Sequence, residues 1–200
     1  ILAKLIFRVC GYCAPNKPIP RTLLEDVLST RASKQMLSEA LMKLDRLGLI
    51  APTKNGRMQH SLLAEFARQK DLEADESALP ALVESISRLT TQAVKSKSLE
   101  KMRSLHEHLD FIAQAAEEAK LPKTGVLWNN LGRHLQNLAD YESAKEILER
   151  ALKIDEQVCG PDHPDVARDV NSLGGVLQDL GEFQEARKCH ERALKIDEQV

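Results

Sequence analysis

The chain has 200 residues, of which 42% are hydrophobic, 29% charged and 4% aromatic, with a formal net charge of −2. That is room for one large or two small domains of ordinary globular balance, and the scarcity of aromatics favours helix packed on helix. No run approaches the roughly 18 apolar residues of a membrane span, so a transmembrane protein is excluded. Ile1 opens an apolar segment with no charged leader or cleavage site, so no secretory signal is read. Four cysteines do not make a disulfide framework in a chain this long, and a reduced, cytoplasmic setting is expected. The chain opens without Met and stops inside a repeat, which predicts a piece of a longer protein. Charge is unevenly placed: residues 1–60 carry ten Lys/Arg against four Asp/Glu, and residues 61–200 carry 18 against 26.

Residues 1–70 read as one unit. An apolar helix runs from Ile1 to Val9, Asn16-Lys17-Pro18-Ile19-Pro20 breaks it, and Arg21 to Leu28 makes a second. Ser33 caps a third helix, with Met36, Leu37, Ala40, Leu41, Leu44 and Leu47 facing inward and Gly48 ending it. Leu49-Ile50-Ala51, a turn over 52–56 and Arg57 to His60 predict a small hairpin, and Ser61 to Arg68 returns to helix. Three helices and a hairpin in that order make a winged helix. Asp71 to Ser77 is an acidic connection and the expected domain boundary. Two helices follow, one from Leu79 and one from about Leu99 to Lys120, as an atypical first layer over residues 71–124.

An internal repeat fills residues 125–200. Glu149 to Val158 recurs unchanged at Glu191 to Val200, an offset of 42, and sliding 129–158 onto 171–200 matches 17 of 30 positions. Each unit reads as two helices, with Leu127, Leu131, Leu135 and Leu138, or Leu173, Leu177 and Leu180, at helical spacing in the first. The second helices run from Tyr141 to Val158 and from Phe183 to Val200. Gly132, Gly174, Ala144 and Ala186 stand where the helices of a pair would cross, where packing demands small residues. The linker Cys159-Gly160-Pro161-Asp162-His163-Pro164-Asp165 stops one helix and restarts the next.

Trp128-x-x-Leu131-Gly132, Tyr141-x-x-Ala144 and Ala151 resemble a tetratricopeptide repeat, and the 42-residue period with the Gly160 to Pro164 linker resembles the long-helix variety of kinesin light chains. Val170 replaces the tryptophan in the second unit, His190 stands at a usually bulky position, and Leu135 and Leu177 replace the usual tyrosine. The expected fold is therefore all-α, a winged helix-like N-terminal domain with a small hairpin followed by an α-solenoid. That domain order resembles the back half of a STAND-class signalling ATPase of the NB-ARC type. The resemblance implies an upstream nucleotide-binding module in cis, an ADP-bound closed state, ADP or ATP held by the parent, and an oligomer on activation. It also implies that His60, in Met58-Gln59-His60-Ser61-Leu62, touches the β-phosphate of ADP, although Ser61 stands where the family has Asp.

Within these residues no G-x-x-x-x-G-K-[ST] loop occurs, so the chain itself is expected to hold no cofactor and to be no enzyme. The family's groove positions fall on Asn129, Arg133, Gln136, Arg168, Asn171 and Gln178, where amides can bond an extended peptide backbone and arginines can pair acidic groups. A protein or peptide is the expected partner, and neither nucleic acid nor a membrane is. Lys34, Gln35, Ser38, Lys43, Arg46, Lys54 and Arg57 could instead serve a transcription regulator's contact with DNA. A plain repeat adaptor is the other alternative. Cys10-Gly11-Tyr12-Cys13 has the spacing of a redox dithiol but follows a helix rather than opening one, so two semi-buried thiols are expected. His106 and His108 fall on different helix faces, and no metal site is expected.

Overall fold

The structure is a computed structural model that describes residues 1–199. It is helical throughout except for one antiparallel hairpin, and it divides into two compact units: residues 1–92 with 100–121, and residues 93–99 with 122–199. Residues 71–92 and 100–121, read above as a connecting layer, cluster with the first 70 residues. No helix among the described residues is long and apolar enough to cross a membrane.

The first unit opens with α1 (Leu2–Gly11), α2 (Arg21–Val27) and α3 (Lys34–Arg46). Ser33 caps α3 by accepting from the Met36 amide at 3.3 Å, and Gly48 follows the helix end at φ 68°, a left-handed position that suits glycine. Leu37, Ala40, Leu41 and Leu44 are buried, as the spacing predicts. Met36 and Leu47, expected inward, are 50% and 60% exposed, because at helical spacing they fall to one side of the stripe formed by Leu37, Ala40, Leu41 and Leu44.

The hairpin is tighter than the turn residues suggest. Strands β1 (Ala51–Thr53) and β2 (Gly56–Met58) pair Thr53 with Gly56, so Pro52 lies in a strand and only Lys54-Asn55 turn. Pro52 is tolerated because β1 is an edge strand. The other edge of β2 is covered by Ile19, whose amide and carbonyl both bond the backbone of Arg57. This close approach requires glycine at position 56, where a Cβ would lie 2.1 Å from the Ile19 carbonyl oxygen. The segment 16–20 is thus a break that also pairs with the hairpin.

Helix α4 (Ser61–Leu72) carries Asp71 into the interior, correcting its placement in the acidic connection after residue 70. Its carboxylate accepts from Tyr12 Oη at 2.9 Å, Ser77 Oγ at 2.6 Å and the Ala78 amide at 2.8 Å, with the Arg8 guanidinium 3.4 Å away. One residue therefore joins α1, α4 and the start of α5 (Leu79–Lys95). Burial, then the hydrogen bond and charge of Asp71, push the Tyr12 phenol up to about 12. Helix α6 (Leu99–Glu118) supplies a second tie: His108 Nδ1 accepts from the Ala14 amide at 3.1 Å and its Nε2 lies 2.9 Å from the Pro18 carbonyl. The ring is therefore the neutral Nε2–H tautomer, and burial holds its pKa below the usual range.

The second unit stacks two helical pairs, α7 (Thr124–Asn137) with α8 (Tyr141–Cys159) and α9 (Pro164–Asp179) with α10 (Phe183–Asp197). Ala139 (φ 60°) and Gly181 (φ 81°) take the left-handed conformation between the helices of each pair. A Cβ at Gly132 would come within 2.6 Å of Leu148 Cγ, and one at Gly174 within 2.7 Å of His190, so the crossing points need the small residues that the repeat supplies. Ala144, Leu148, Leu173, Val176, Leu177 and Ala186 form the shared core. Trp128 is fully buried, with Arg150 stacked 4.1 Å from its ring centroid. A second cluster, Val166, Ala167, Val170, Ala193 and Ile196, continues that core along the second pair.

Asp71→Ala leaves Tyr12, Ser77 and the Ala78 amide without their acceptor and Arg8 without its partner. It should cost about 3–5 kcal/mol. A urea unfolding curve checks this, and a loss under about 1 kcal/mol would show the carboxylate to be dispensable.

Candidate peptide groove and its charge cluster

Helices α7 and α9 lie side by side, tied by a 2.7 Å hydrogen bond from Gln136 Nε2 to Asp179. On α7, Asn129, Arg133 and Gln136 recur at helical spacing, and on α9 so do Arg168, Asn171 and Gln178. Gly175 stands at the repeat position of Arg133, and a Cβ there would meet only Gln136 Nε2, at 3.4 Å. The absence of a side chain at Gly175 leaves the space beside Gln136 open.

The six candidate residues are differently placed. Gln178 is exposed, and Asn171 is exposed with its Oδ1 3.0 Å from His190 Nδ1. Gln136 is half-buried and engaged with Asp179. Asn129 is fully buried, with neither atom of its amide hydrogen-bonded, so it is not on the open surface. Arg133 is half-buried and has no hydrogen-bonded acceptor or paired carboxylate among the described residues. Burial first, and then the charge of Arg168, hold its pKa below the ordinary arginine value.

Arg168 is the opposite case. Its guanidinium reaches Asp165 Oδ1 at 2.5 Å, Asp155 Oδ2 at 3.0 Å and Asp169 Oδ1 at 3.0 Å. Burial works against its charge, but the three carboxylates outweigh that and raise its pKa. Asp155 is buried on α8, and Gly125 on α7 makes room for it, since a Cβ there would fall 2.0 Å from its Oδ1. Asp169 is wholly buried, with Oδ2 unbonded. Burial, reinforced by the charge of Asp155 and opposed by Arg168, pushes the Asp169 carboxyl up to about 8. Asp155 is raised as well, again by burial first. One arginine thus faces more carboxylate than it can neutralise, and Asp169 keeps its proton at neutral pH.

Residues 123–199 match the family model of the tetratricopeptide repeat. The match takes in the described parts of both helical pairs. No curated protein matches the chain.

Asp155 and Asp169 were not singled out from the sequence, yet a signal was present. Asp169 stands 42 residues after Leu127, a carboxylate in a core position of the repeat, and both residues are completely buried. Elsewhere, His60 is exposed and caps α4, its Nδ1 accepting from the Leu62 amide at 3.3 Å. Arg57, counted among the basic residues of the hairpin, pairs with Asp45 at 3.3 Å. Cys10 and Cys13 are buried more deeply than expected, and burial pushes the Cys10 thiol up to about 12 and Cys13 well above its usual value. Both remain thiols, which removes the thiolate that redox exchange needs.

Because the folded Asp169 pKa is raised, its stabilising contribution is full below the unfolded value of about 4 and is lost as pH rises through about 8. The repeat unit should therefore be less stable, and melt at lower temperature, at pH 8.5 than at pH 5, this group accounting for a loss on the order of 4 kcal/mol. Asp169→Asn should abolish most of that difference and melt above the wild type at pH 8.5. Parallel profiles for the two proteins would contradict it.

Proposed function

We propose that the chain is a protein-binding module whose repeat unit takes an acidic, extended segment along α7 and α9. The observation that carries this reading is Arg133. A half-buried guanidinium without a carboxylate is held at an electrostatic cost, which an anionic ligand would remove. Arg168 nearby is already saturated by Asp155, Asp165 and Asp169, so it contributes a positioned neighbour rather than a free cation. Gln136 and Gln178 supply amides for the ligand's backbone, and the space over Gly175 admits it. A reading as a plain repeat adaptor rests on these features alone.

A fluorescein-labelled peptide of alternating Glu and Ser is a direct probe. It should bind with an affinity that falls with salt, and Arg133→Gln should weaken it about tenfold or more. Equal binding of a Lys-Ser peptide, or an Arg133→Gln variant indistinguishable from wild type, would overturn the assignment.

We further propose the regulatory role of a STAND-type NTPase for the parent of this chain. Residues 1–70 would then be a winged helix holding the ADP-bound state through His60, with residues 71–124 as the connecting helical layer. Two features support this reading: three helices precede the hairpin, and His60 stands exposed at the N-terminus of the 12-residue α4, where backbone amides favour an anion. With Nδ1 used for the cap, Nε2 is the nitrogen left to donate to a phosphate oxygen. His60→Asn preserves a capping side chain and removes that donor. The full-length parent should retain ADP through purification, and the variant several-fold less; equal retention, or none in either, would leave the adaptor reading.

A further inference from the structure

The turn between α8 and α9 brings together three donors that the sequence spreads over seven residues. Cys159 ends α8, His163 caps α9, and Asp165 lies in the first turn of α9. One ligand atom from each lies within 4.8 Å of the other two. We propose that Cys159, His163 and Asp165 form a zinc site that clips the end of one repeat to the start of the next, with its fourth position open.

The donor set is the first argument. A thiolate, an imidazole and a carboxylate together suit zinc, a cation of intermediate softness, better than magnesium or calcium, which take oxygen alone. The spacing is the second. His163 Nδ1 and Asp165 Oδ2 are 3.5 Å apart, against about 3.4 Å for nitrogen and oxygen on a tetrahedral zinc. The Cys159 Sγ has to close to about 3.6 Å from them. Cys159 is exposed at a helix end, so a side-chain rotation is free to do this.

The surroundings are prepared as well. Arg168 holds Asp165 Oδ1 at 2.5 Å and so leaves Oδ2 facing His163, as an outer-shell partner orients a metal-bound carboxylate. Gly160 at φ 89° permits the turn, and its two prolines restrict the backbone that carries His163. Asp155 and Asp165 place negative charge near Cys159 that Arg168 only partly offsets. Partial burial first, and then this charge, raise the thiol's pKa, so a cation that takes the thiolate must displace one proton to solvent. His163 Nδ1 accepts from the Asp165 amide at 3.1 Å, and metal binding replaces that cap. The other cysteines offer no rival soft site: Cys10 and Cys13 are buried, and no cluster of three metal-ligating side chains includes Cys189 among the described residues.

Titration of the full chain with Co²⁺, then displacement by Zn²⁺ against a chromophoric chelator, tests the site. One equivalent of cobalt should bind with a thiolate-to-cobalt charge-transfer band, and zinc should displace it. Cys159→Ser should abolish the band and weaken zinc binding at least tenfold. His163→Asn, which keeps a capping side chain, should weaken zinc binding about as much while melting like wild type without metal. A missing charge-transfer band, or zinc binding of unchanged strength in both variants, would overturn the proposal.

Discussion

The geometry of the repeat unit turns on Arg168. Its guanidinium spans the end of α8, through Asp155, and the first turns of α9, through Asp165 and Asp169. A single positive charge against three carboxylates in a largely buried setting cannot satisfy all of them, and three consequences follow. Asp169 retains a proton near neutrality, Asp165 is oriented with one oxygen turned toward His163, and Arg133 feels the charge of a cation already spent. Groove, turn and pH response are thus connected by one side chain.

The first unit is organised by a similar economy on a different chemistry. Asp71 gathers a phenol, a hydroxyl and a backbone amide, while His108 reads a backbone donor on one nitrogen and an acceptor on the other. These are polar ties in the interior, each nearly fully satisfied, and such ties specify one arrangement more sharply than apolar packing does. Ile19 paired with β2 extends the hairpin by one short pairing and explains why Gly56 can carry no side chain.

Much of this was legible in the sequence, for physical reasons. Leucines at helical spacing, Ser33 before α3, Gly48 after it, and Pro164 opening α9 are local signals that fix helices within a residue or two. Gly132 and Gly174 announced close helix crossings because a repeat keeps its small residues at the same step. Long-range relations were not legible. The pairing of Ile19 with Arg57, the burial of Asp71 and the convergence of Asp155 with Asp169 depend on residues far apart in the chain. No local pattern encodes them, although a carboxylate at the repeat position of Leu127 was a clue. Asn129 shows the limit of the groove reading: the family resemblance placed it in the groove with Arg133, and the structure buries it completely.

The most direct test of the charge cluster is a carboxyl-carbon NMR titration of Asp169 in the folded chain. With one arginine shared among three carboxylates, the Asp169 resonance should titrate with a midpoint near 8 and move with that of Asp155. A midpoint near 4, as for a solvated or fully paired aspartate, would show that Arg168 neutralises the cluster and would remove the basis for the pH response.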